Sequence, residues 1–212
     1  MLGILTDKDL LKIHAENPDF ISPFHPKQVK ENPDGSKVIS YGLDSMGYDV
    51  CLGNTFKVIK PTIHVDESIL KEKQCYTLEN GVMKRHENAI LDPKNLKVTY
   101  DLHEVDDYFI LPPHSFVLAV TKESFSMPKN VYGLLTCKST YARVGINMAS
   151  TGLKSGWSGE LVLEIFNQTN LPVKLYVNEG IGTIAFFASE EDPNGVYDGV
   201  YNGQTGVTTA KV

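Results

Sequence analysis

The segment CKSTYARVGINMASTGLKSGWSGELVLEIFNQ, residues 137–168, joins a small polar turn, a glycine-punctuated loop and an apolar strand. The strand, Leu161–Phe166, has the length and the β-branched and aromatic content of a buried strand. It carries a carboxylate, Glu164, and burying a carboxylate is unfavourable unless it is paired or hydrogen-bonded. Two interpretations follow. Glu164 is a general base whose pKa is raised by burial, or it lies on the solvent face of an edge strand.

Short strands separated by Gly and Pro turns dominate the rest of the chain. They are predicted within residues 40–60, 108–111, 115–121, 131–135, 171–177 and 182–187. One helix is predicted to begin after Thr6, where Asp9 completes a capping box, and to end at Asn17. This pattern indicates an all-β barrel or sandwich with a short N-terminal helix. We expect a single domain, 1–212, with an insertion at 61–107.

Composition excludes several classes of protein. The 212 residues carry a formal net charge of −6 without a Lys/Arg block, which argues against a nucleic-acid scaffold. Three cysteines, none in a C-x-x-C pair, argue against a disulfide framework or a cysteine-rich zinc site. No apolar run approaches the length of a membrane span, so no membrane partner is expected. These features predict a reduced, cytoplasmic protein.

Two further polar positions are informative. Asp49 lies between Tyr48 and Val50, and we expect it to be buried and to accept hydrogen bonds from backbone N–H groups at a strand end. Residues 138–140 offer a cation and successive hydrogen-bond donors that suit phosphates, although an ordinary polar turn has the same composition.

Several short motifs occur in the order found in one known family. They are Ile39–Leu43 with Gly47–Asp49, Lys138–Arg143 with Gly145, Gly156–Gly159, Leu163–Glu164, Leu171–Lys174, Asn178–Gly180 and Gly203–Thr208. Together they resemble the dCTP deaminase branch of the dUTPase superfamily and span nearly the whole chain. The resemblance implies a distorted jelly-roll-like β-barrel that assembles as a homotrimer with its sites between subunits. It also implies that a C-terminal segment, 196–212, closes over the nucleotide.

The resemblance implies roles for individual residues. Glu164 is expected to be the general base, Ser139 to hold the water or the exocyclic amine, and Arg143 to stabilise developing charge. Trp157 is expected to pack beside the site. The expected nucleotide-binding residues are Lys138, Ser139, Thr140, Tyr141, Ala142, Arg143, Lys154, Val162, Leu163, Glu164, Tyr197 and Gln204.

A metal-free deamination is expected. Zinc deaminases combine an H-x-E segment with a P-C-x-x-C segment, and this combination does not occur here. Without a zinc ion, a carboxylate of tuned pKa and fixed hydrogen-bond donors must do the chemistry. We expect no protein-bound cofactor and no bound metal, with Mg²⁺ arriving on the nucleotide triphosphate. The expected ligands are dCTP as substrate and dTTP as a candidate inhibitor.

Two positions depart from the pattern of the family. Lys154 stands where relatives place an acidic residue against the sugar hydroxyl, and Val200 stands where relatives often carry a lysine for a phosphate. Two alternatives therefore stay open. One is a dUTP diphosphatase or a bifunctional deaminase–diphosphatase, although Lys154 occupies the place of the aspartate that chemistry uses. The other is a regulatory protein that binds nucleotide without turning it over.

Overall fold

Strands are the main secondary structure of the described chain. The structure, a computed structural model, describes residues 3–59, 75–79, 82–86, 93–94 and 100–211. These residues form helices α1 (Asp7–Glu16) and α2 (Ser139–Ala142). Their strands are β1 (Gly3–Ile4), β2 (Ile21–Ser22), β3 (Val29–Glu31), β4 (Lys37–Asp44), β5 (Gly47–Cys51), β6 (Thr55–Ile59), β7 (Cys75–Glu79), β8 (Val82–His86), β9 (Tyr100–Glu104), β10 (Tyr108–Leu111), β11 (Phe116–Ser126), β12 (Val131–Cys137), β13 (Ile146–Met148), β14 (Gly152–Leu153), β15 (Ser158–Asn167), β16 (Val173–Tyr176) and β17 (Gly180–Ala188).

Two large sheets enclose one core. The seven-stranded sheet runs β14-β12-β17-β5-β4-β3, with β1 paired to β17. The six-stranded sheet runs β13-β15-β11-β6-β9, with β2 paired to β11. Buried side chains of both sheets, such as Ile184 and Leu163, belong to one hydrophobic cluster. This is the jelly-roll-like, all-β architecture that the sequence predicted, although neither large sheet closes on itself.

The N-terminal helix forms as predicted. Helix α1 begins after Thr6, whose backbone N–H and hydroxyl both donate to the Asp9 carboxylate at 2.9 and 2.8 Å. Leu10 is fully buried and anchors the helix to the core.

The C-terminal part of the predicted insertion, 61–107, contains β9. This strand pairs with β6 along its whole length and so belongs to the six-stranded sheet. The sequence also favours short β pieces around residues 97–100; of these, Tyr100 is the first residue of β9, and residues 97–99 lie outside the described part of the chain.

Strand β15 positions the residues that matter for function. Leu161, Leu163 and Ile165 are buried in the core, because successive side chains of a strand point to opposite faces. Val162 and Glu164 therefore point away from the core. Glu164 stands directly opposite Leu118 of β11.

Candidate active site

A cavity of about 730 Å³ lies on the face of β11 and β15 that points away from the core. Its floor is apolar and includes Phe116, Leu118 and Val162. Residues 150–154 and the C-terminal segment form its walls. Among the described residues that line it, Glu164 is the single carboxylate. A pocket with an apolar floor and a few polar groups suits a flat heterocyclic ligand.

Glu164 is partly buried in this cavity. Burial raises the pKa of its carboxyl group above the ordinary value, while its own backbone N–H and the Thr151 hydroxyl oppose the rise. The Thr151 hydroxyl lies 3.4 Å from Glu164 Oε2. A carboxylate that is raised in pKa, yet reachable from a cavity, is suited to take a proton from a water molecule. Neither the sequence pattern nor the family resemblance pointed to Thr151.

The C-terminal segment, residues 196–211, folds back over the cavity of its own subunit. Glu160 is its main anchor: its backbone N–H donates to the Gln204 carbonyl at 2.9 Å, and its carboxylate accepts from the Gly206 N–H at 2.6 Å. Gln204 Nε2 donates to the Glu160 carbonyl at 2.9 Å. Val207 is buried with Leu118 and Val162. The segment therefore forms one wall of the cavity.

The Gly156-Trp157-Ser158-Gly159 motif is the platform on which this segment rests. Gly159 has φ +134°, and a Cβ there would lie 2.6 Å from the Gln204 carbonyl oxygen. Gly156 has φ +70°, and a Cβ there would meet Val196 at 2.7 Å. Trp157 Nε1 donates to the Tyr201 carbonyl at 2.9 Å. Both glycines thus have a backbone conformation that other residues rarely adopt, and at both the C-terminal segment packs too closely to leave room for a side chain.

Lys154 projects from the wall of the cavity toward an aromatic ring. Its Nζ lies 5.3 Å from the centroid of Tyr197, within the range of a cation–π contact. Tyr197 itself packs against the main core and lines the cavity. The carboxylate of Glu160 accepts from the Gly206 N–H instead of pairing with Lys154. The predicted nucleotide-binding residues Lys154, Val162, Glu164, Tyr197 and Gln204 are thus brought together around one cavity.

The polar turn at residues 138–143 lies elsewhere. No residue of this turn is among the described residues that line the cavity. The turn precedes β13, whose Ile146 pairs with Asn167 at the far end of β15. Glu164 is three residues back along that strand, which corresponds to about 10 Å. Ser139, Thr140, Ala142 and Arg143 are exposed, so their side chains are available to another molecule.

Two residues of the turn are tied to the body of the subunit. Lys138 Nζ forms a salt bridge with Asp49, and both side chains are largely buried. Asp49 also accepts from Gln28 Nε2 at 2.7 Å and from the Thr183 hydroxyl at 2.5 Å. Asp49 is buried as expected, but its side-chain partners are side chains rather than the backbone N–H groups predicted. Tyr141 is buried too, and its hydroxyl accepts from the Tyr176 N–H at 2.8 Å.

The predicted nucleotide-binding residue Leu163 faces the core and is fully buried. Only its backbone is therefore available on the side of the cavity.

A second buried carboxylate, Glu123, was missed by the sequence interpretation. It is 0% exposed and accepts from the Cys51 N–H with both oxygens, at 3.1 and 3.0 Å. Burial raises the pKa of Glu123 to about 7. It lies beside a β-bulge in β11 between Val120 and Ser124. The sequence carries little signal here, because Glu123 lies among the polar residues Thr121, Lys122 and Ser124, whereas Glu164 lies directly between Leu163 and Ile165.

Clusters of metal ligands and membrane-spanning helices are both absent from the described residues. Within them, no group of three or more His, Cys, Asp or Glu side chains is placed to hold a metal ion. His14-Ala15-Glu16 has the H-x-E spacing of zinc deaminases, but it ends α1, where the His14 ring stacks on Phe24 at 4.0 Å. None of the described helices is both long and apolar enough to span a membrane.

Comparisons with known proteins agree on one family. A sequence profile described as dCTP deaminase-like matches residues 4–189. A dCTP deaminase of Azoarcus sp. is 38% identical over 214 residues and covers 100% of both chains. That of Coxiella burnetii is 40% identical over 210 residues, 98% of each chain. The crystal structure of 2′-deoxycytidine 5′-triphosphate deaminase from Agrobacterium tumefaciens superposes with a TM-score of 0.53 at 14% identity. The match covers 89% of this chain but about half, 48%, of that one, and supports the fold alone.

Proposed function

The chain belongs to the dCTP deaminase-like family, and on that premise we propose that it is a dCTP deaminase, which hydrolyses dCTP to dUTP and ammonia. The observation that carries the proposal is Glu164, a carboxylate of raised pKa at an apolar cavity large enough for a nucleobase and sugar. Full-length relatives at 38–40% identity bear the name of this activity.

Glu164 acts as the general base in this proposal. A water molecule attacks C4 of cytosine, and one of its protons passes to the Glu164 carboxylate and from there to the ring nitrogen N3. The remaining proton, on the C4 hydroxyl, then passes through the same carboxylate to the exocyclic amine, the C4–N bond breaks as the C4 carbonyl forms, and ammonia leaves with Glu164 ionised again. A base with a raised pKa is effective here, because it must both accept and release the same proton near neutral pH. This route assigns no step to a protein-bound metal or cofactor.

Ser139 and Arg143 reach the cavity of a neighbouring subunit in this proposal. They are exposed on their own subunit and lie beyond the end of β15, away from their own Glu164. The exposed apolar residues around this end, Leu171 (70%), Ile110 (52%) and Val144 (50%), suit a subunit contact. A closed ring of three subunits would give each cavity one such turn. Strands β12 and β15 bury Val131, Leu135, Leu161 and Ile165 within the subunit, while Tyr132 and Phe166 of the same strands remain exposed.

The remaining predicted residues bind the nucleotide. Tyr197 and Lys154 stand near the sugar, Val162 lies on the cavity floor, and Gln204 carries the closing segment toward the phosphates. From residues 138–143, the exposed side chains of Ser139, Thr140 and Arg143 contribute donors for the triphosphate across the subunit boundary. Mg²⁺ arrives with the triphosphate as part of the substrate, and dTTP is a candidate inhibitor at the same site. We place the enzyme in a reducing compartment, the cytoplasm, which agrees with the free thiols of Cys51 and Cys137.

The alternative with the nearest chemistry is dUTP diphosphatase. That activity needs a carboxylate on the 150–154 loop to support the attacking water, and this loop presents Lys154. The alternative of a nucleotide-binding regulator rests on Lys154 and on Val200, which is exposed rather than directed into a phosphate site.

One assay separates these functions. Purified protein is incubated with dCTP, dCMP, dUTP and 5-substituted dCTPs, and ammonia and pyrophosphate are measured separately. We expect ammonia from dCTP without pyrophosphate. Pyrophosphate from dUTP would establish the diphosphatase, and nucleotide binding without either product would establish the regulator. Glu164→Gln is the matched control for trace contamination by other deaminases.

A further inference from the structure

Thr151 sits where the two large sheets meet beside Glu164. Its carbonyl accepts from the Leu135 N–H of β12 at 3.0 Å, which fixes it to the seven-stranded sheet. Two residues earlier, the Ala149 N–H donates to the Glu164 carbonyl of β15 at 3.1 Å. The backbone around Thr151 is therefore held from both sides, and its side chain lines the cavity.

The Thr151 hydroxyl has two acceptors within reach. Oγ1 lies 3.4 Å from Glu164 Oε2 and 3.5 Å from the Ala149 carbonyl oxygen. A hydroxyl has one proton to donate and two lone pairs that accept. It can therefore donate to the ionised carboxylate, or donate to Ala149 while accepting a hydrogen bond from the protonated carboxyl.

We propose that Thr151 is a positioning residue for Glu164, exchanging hydrogen bonds so that the carboxyl keeps one orientation in both of its protonation states. This inference rests on the proposed function, because the deamination cycle requires Glu164 to gain and lose a proton. Both contacts are long for O–H···O hydrogen bonds, and we expect the contact to Glu164 to shorten when a nucleotide displaces solvent from the cavity.

The direction in which Thr151 shifts the pKa of Glu164 agrees with a positioning role. The Thr151 hydrogen bond favours the charged form of Glu164 and so lowers its pKa against the effect of burial. The other titratable or charged groups that line the cavity are Tyr100, Lys154, Tyr197 and Tyr201. Glu164 is thus the one carboxyl group among the described residues that line the cavity. Below neutral pH, the activity profile consequently reports on Glu164 among the groups of this cavity.

Thr151→Val and Thr151→Ser provide a matched pair. Valine keeps the branched shape but has no hydroxyl, whereas serine keeps the hydroxyl. For Thr151→Val we expect kcat for dCTP to fall about tenfold with little change in KM, since the hydroxyl acts through Glu164. We expect the acidic limb of kcat/KM to move up by about 0.5–1 pH unit, because the charged form loses a hydrogen bond. Thr151→Ser should behave as the wild type in both.

A second measurement does not depend on turnover. The side-chain carboxyl carbon of Glu164 is titrated by ¹³C NMR in nucleotide-free protein, and its resonance is assigned by its loss in Glu164→Gln. We expect the same upward shift in Thr151→Val, with Thr151→Ala as the replacement if valine impairs folding. An unmoved Glu164 titration, or a serine variant that matches valine, overturns the inference. Wild-type protein inactive on dCTP overturns the proposed function instead, and the NMR titration still decides whether Thr151 controls Glu164.

Discussion

The cavity on β15 and the turn at 138–143 are both polar segments of one chain, but they are built in opposite ways. Glu164 is partly buried under the chain's own C-terminal segment, where burial changes its pKa. Ser139 and Arg143 are exposed on a short helix that Lys138 anchors to buried Asp49. The first region is nearly complete within a subunit, while the second is a rigid set of donors that faces outward. On the proposed assembly, the difference means that a subunit carries two half-sites rather than one complete site.

The largest effect is expected from removing the base. Glu164→Gln preserves the shape and the hydrogen-bonding atoms, so nucleotide affinity should stay close to that of the wild type. Turnover of dCTP should fall on the order of a thousandfold, the usual size of an acid–base contribution together with water positioning. Steady-state kinetics and calorimetric binding measure the two quantities. Near-normal turnover by this variant would show that Glu164 is not the general base.

Mixing subunits that carry different substitutions tests whether a site combines Glu164 of one subunit with Arg143 of its neighbour. Arg143→Met should reduce kcat by about a hundredfold, as expected for the loss of one group that stabilises developing charge. Co-expression with Glu164→Gln should restore activity, because a mixed trimer has one boundary that joins an intact Glu164 to an intact Arg143. Random assembly predicts about a quarter of the wild-type sites.

Two controls accompany the mixing experiment. Each variant expressed alone must remain inactive, and light scattering must show trimers. If mixed trimers show no recovery, both half-sites belong to the same subunit and the proposed division of the site is wrong.

Glu123 separates burial from catalysis. Its pKa is raised from 4.5 to about 7, so the folded state binds more protons than the unfolded state between these values. The free energy of unfolding contributed by Glu123 is highest below pH 4.5 and falls by about 3 kcal/mol as pH rises toward 7. Urea unfolding at about pH 5 and about pH 8 should show this decline, and Glu123→Gln should reduce it.

The same Glu123→Gln variant sharpens the contrast with Glu164. It should leave the acidic limb of kcat/KM in place, because Glu123 faces the core and Glu164 faces the cavity. Glu164→Gln is the matched control in the unfolding experiment, because burial also raises the pKa of Glu164. If Glu123→Gln moves the acidic limb of kcat/KM, then Glu123 takes part in catalysis and the assignment of Glu123 to stability alone is wrong.

The smallest effect is expected from Lys154. An ammonium group cannot accept a hydrogen bond from the 3′-hydroxyl, so we expect weak discrimination between dCTP and 2′,3′-dideoxy-CTP. Lys154→Glu should increase the ratio of their kcat/KM values by about two- to tenfold, the worth of one hydrogen bond. Lys154→Met, which removes only the charge above Tyr197, is the control. If Lys154→Glu instead creates dCTP turnover from an undetectable baseline, the natural protein is a binder.

Local pattern predicted the elements but not every boundary. The periodicity around Tyr108–Leu111 and Leu161–Phe166 identified strands that the structure contains, because alternation is a property of neighbouring residues. Strand β11 extends to Ser126 rather than 121, because a bulge lets it continue past the polar residues Thr121–Glu123. Pattern alone could not locate the bulge, since it depends on the partner strand.

The sequence by itself determined the all-β class, the helix that begins at Thr6 and the family, and it singled out Glu164 as an acidic residue in an apolar strand. Only the tertiary structure decided which groups surround that carboxylate. Thr151 and Lys154 belong to one loop, Glu164 to β15 and Gln204 to the C-terminal segment, and they meet at the cavity through long-range pairing. Arg143 is closer to Thr151 in sequence than Glu164 is, but it lies outside the cavity. The physical reason is that side-chain direction follows from local periodicity, but proximity between distant segments is fixed only when sheets pack and hydrogen-bond.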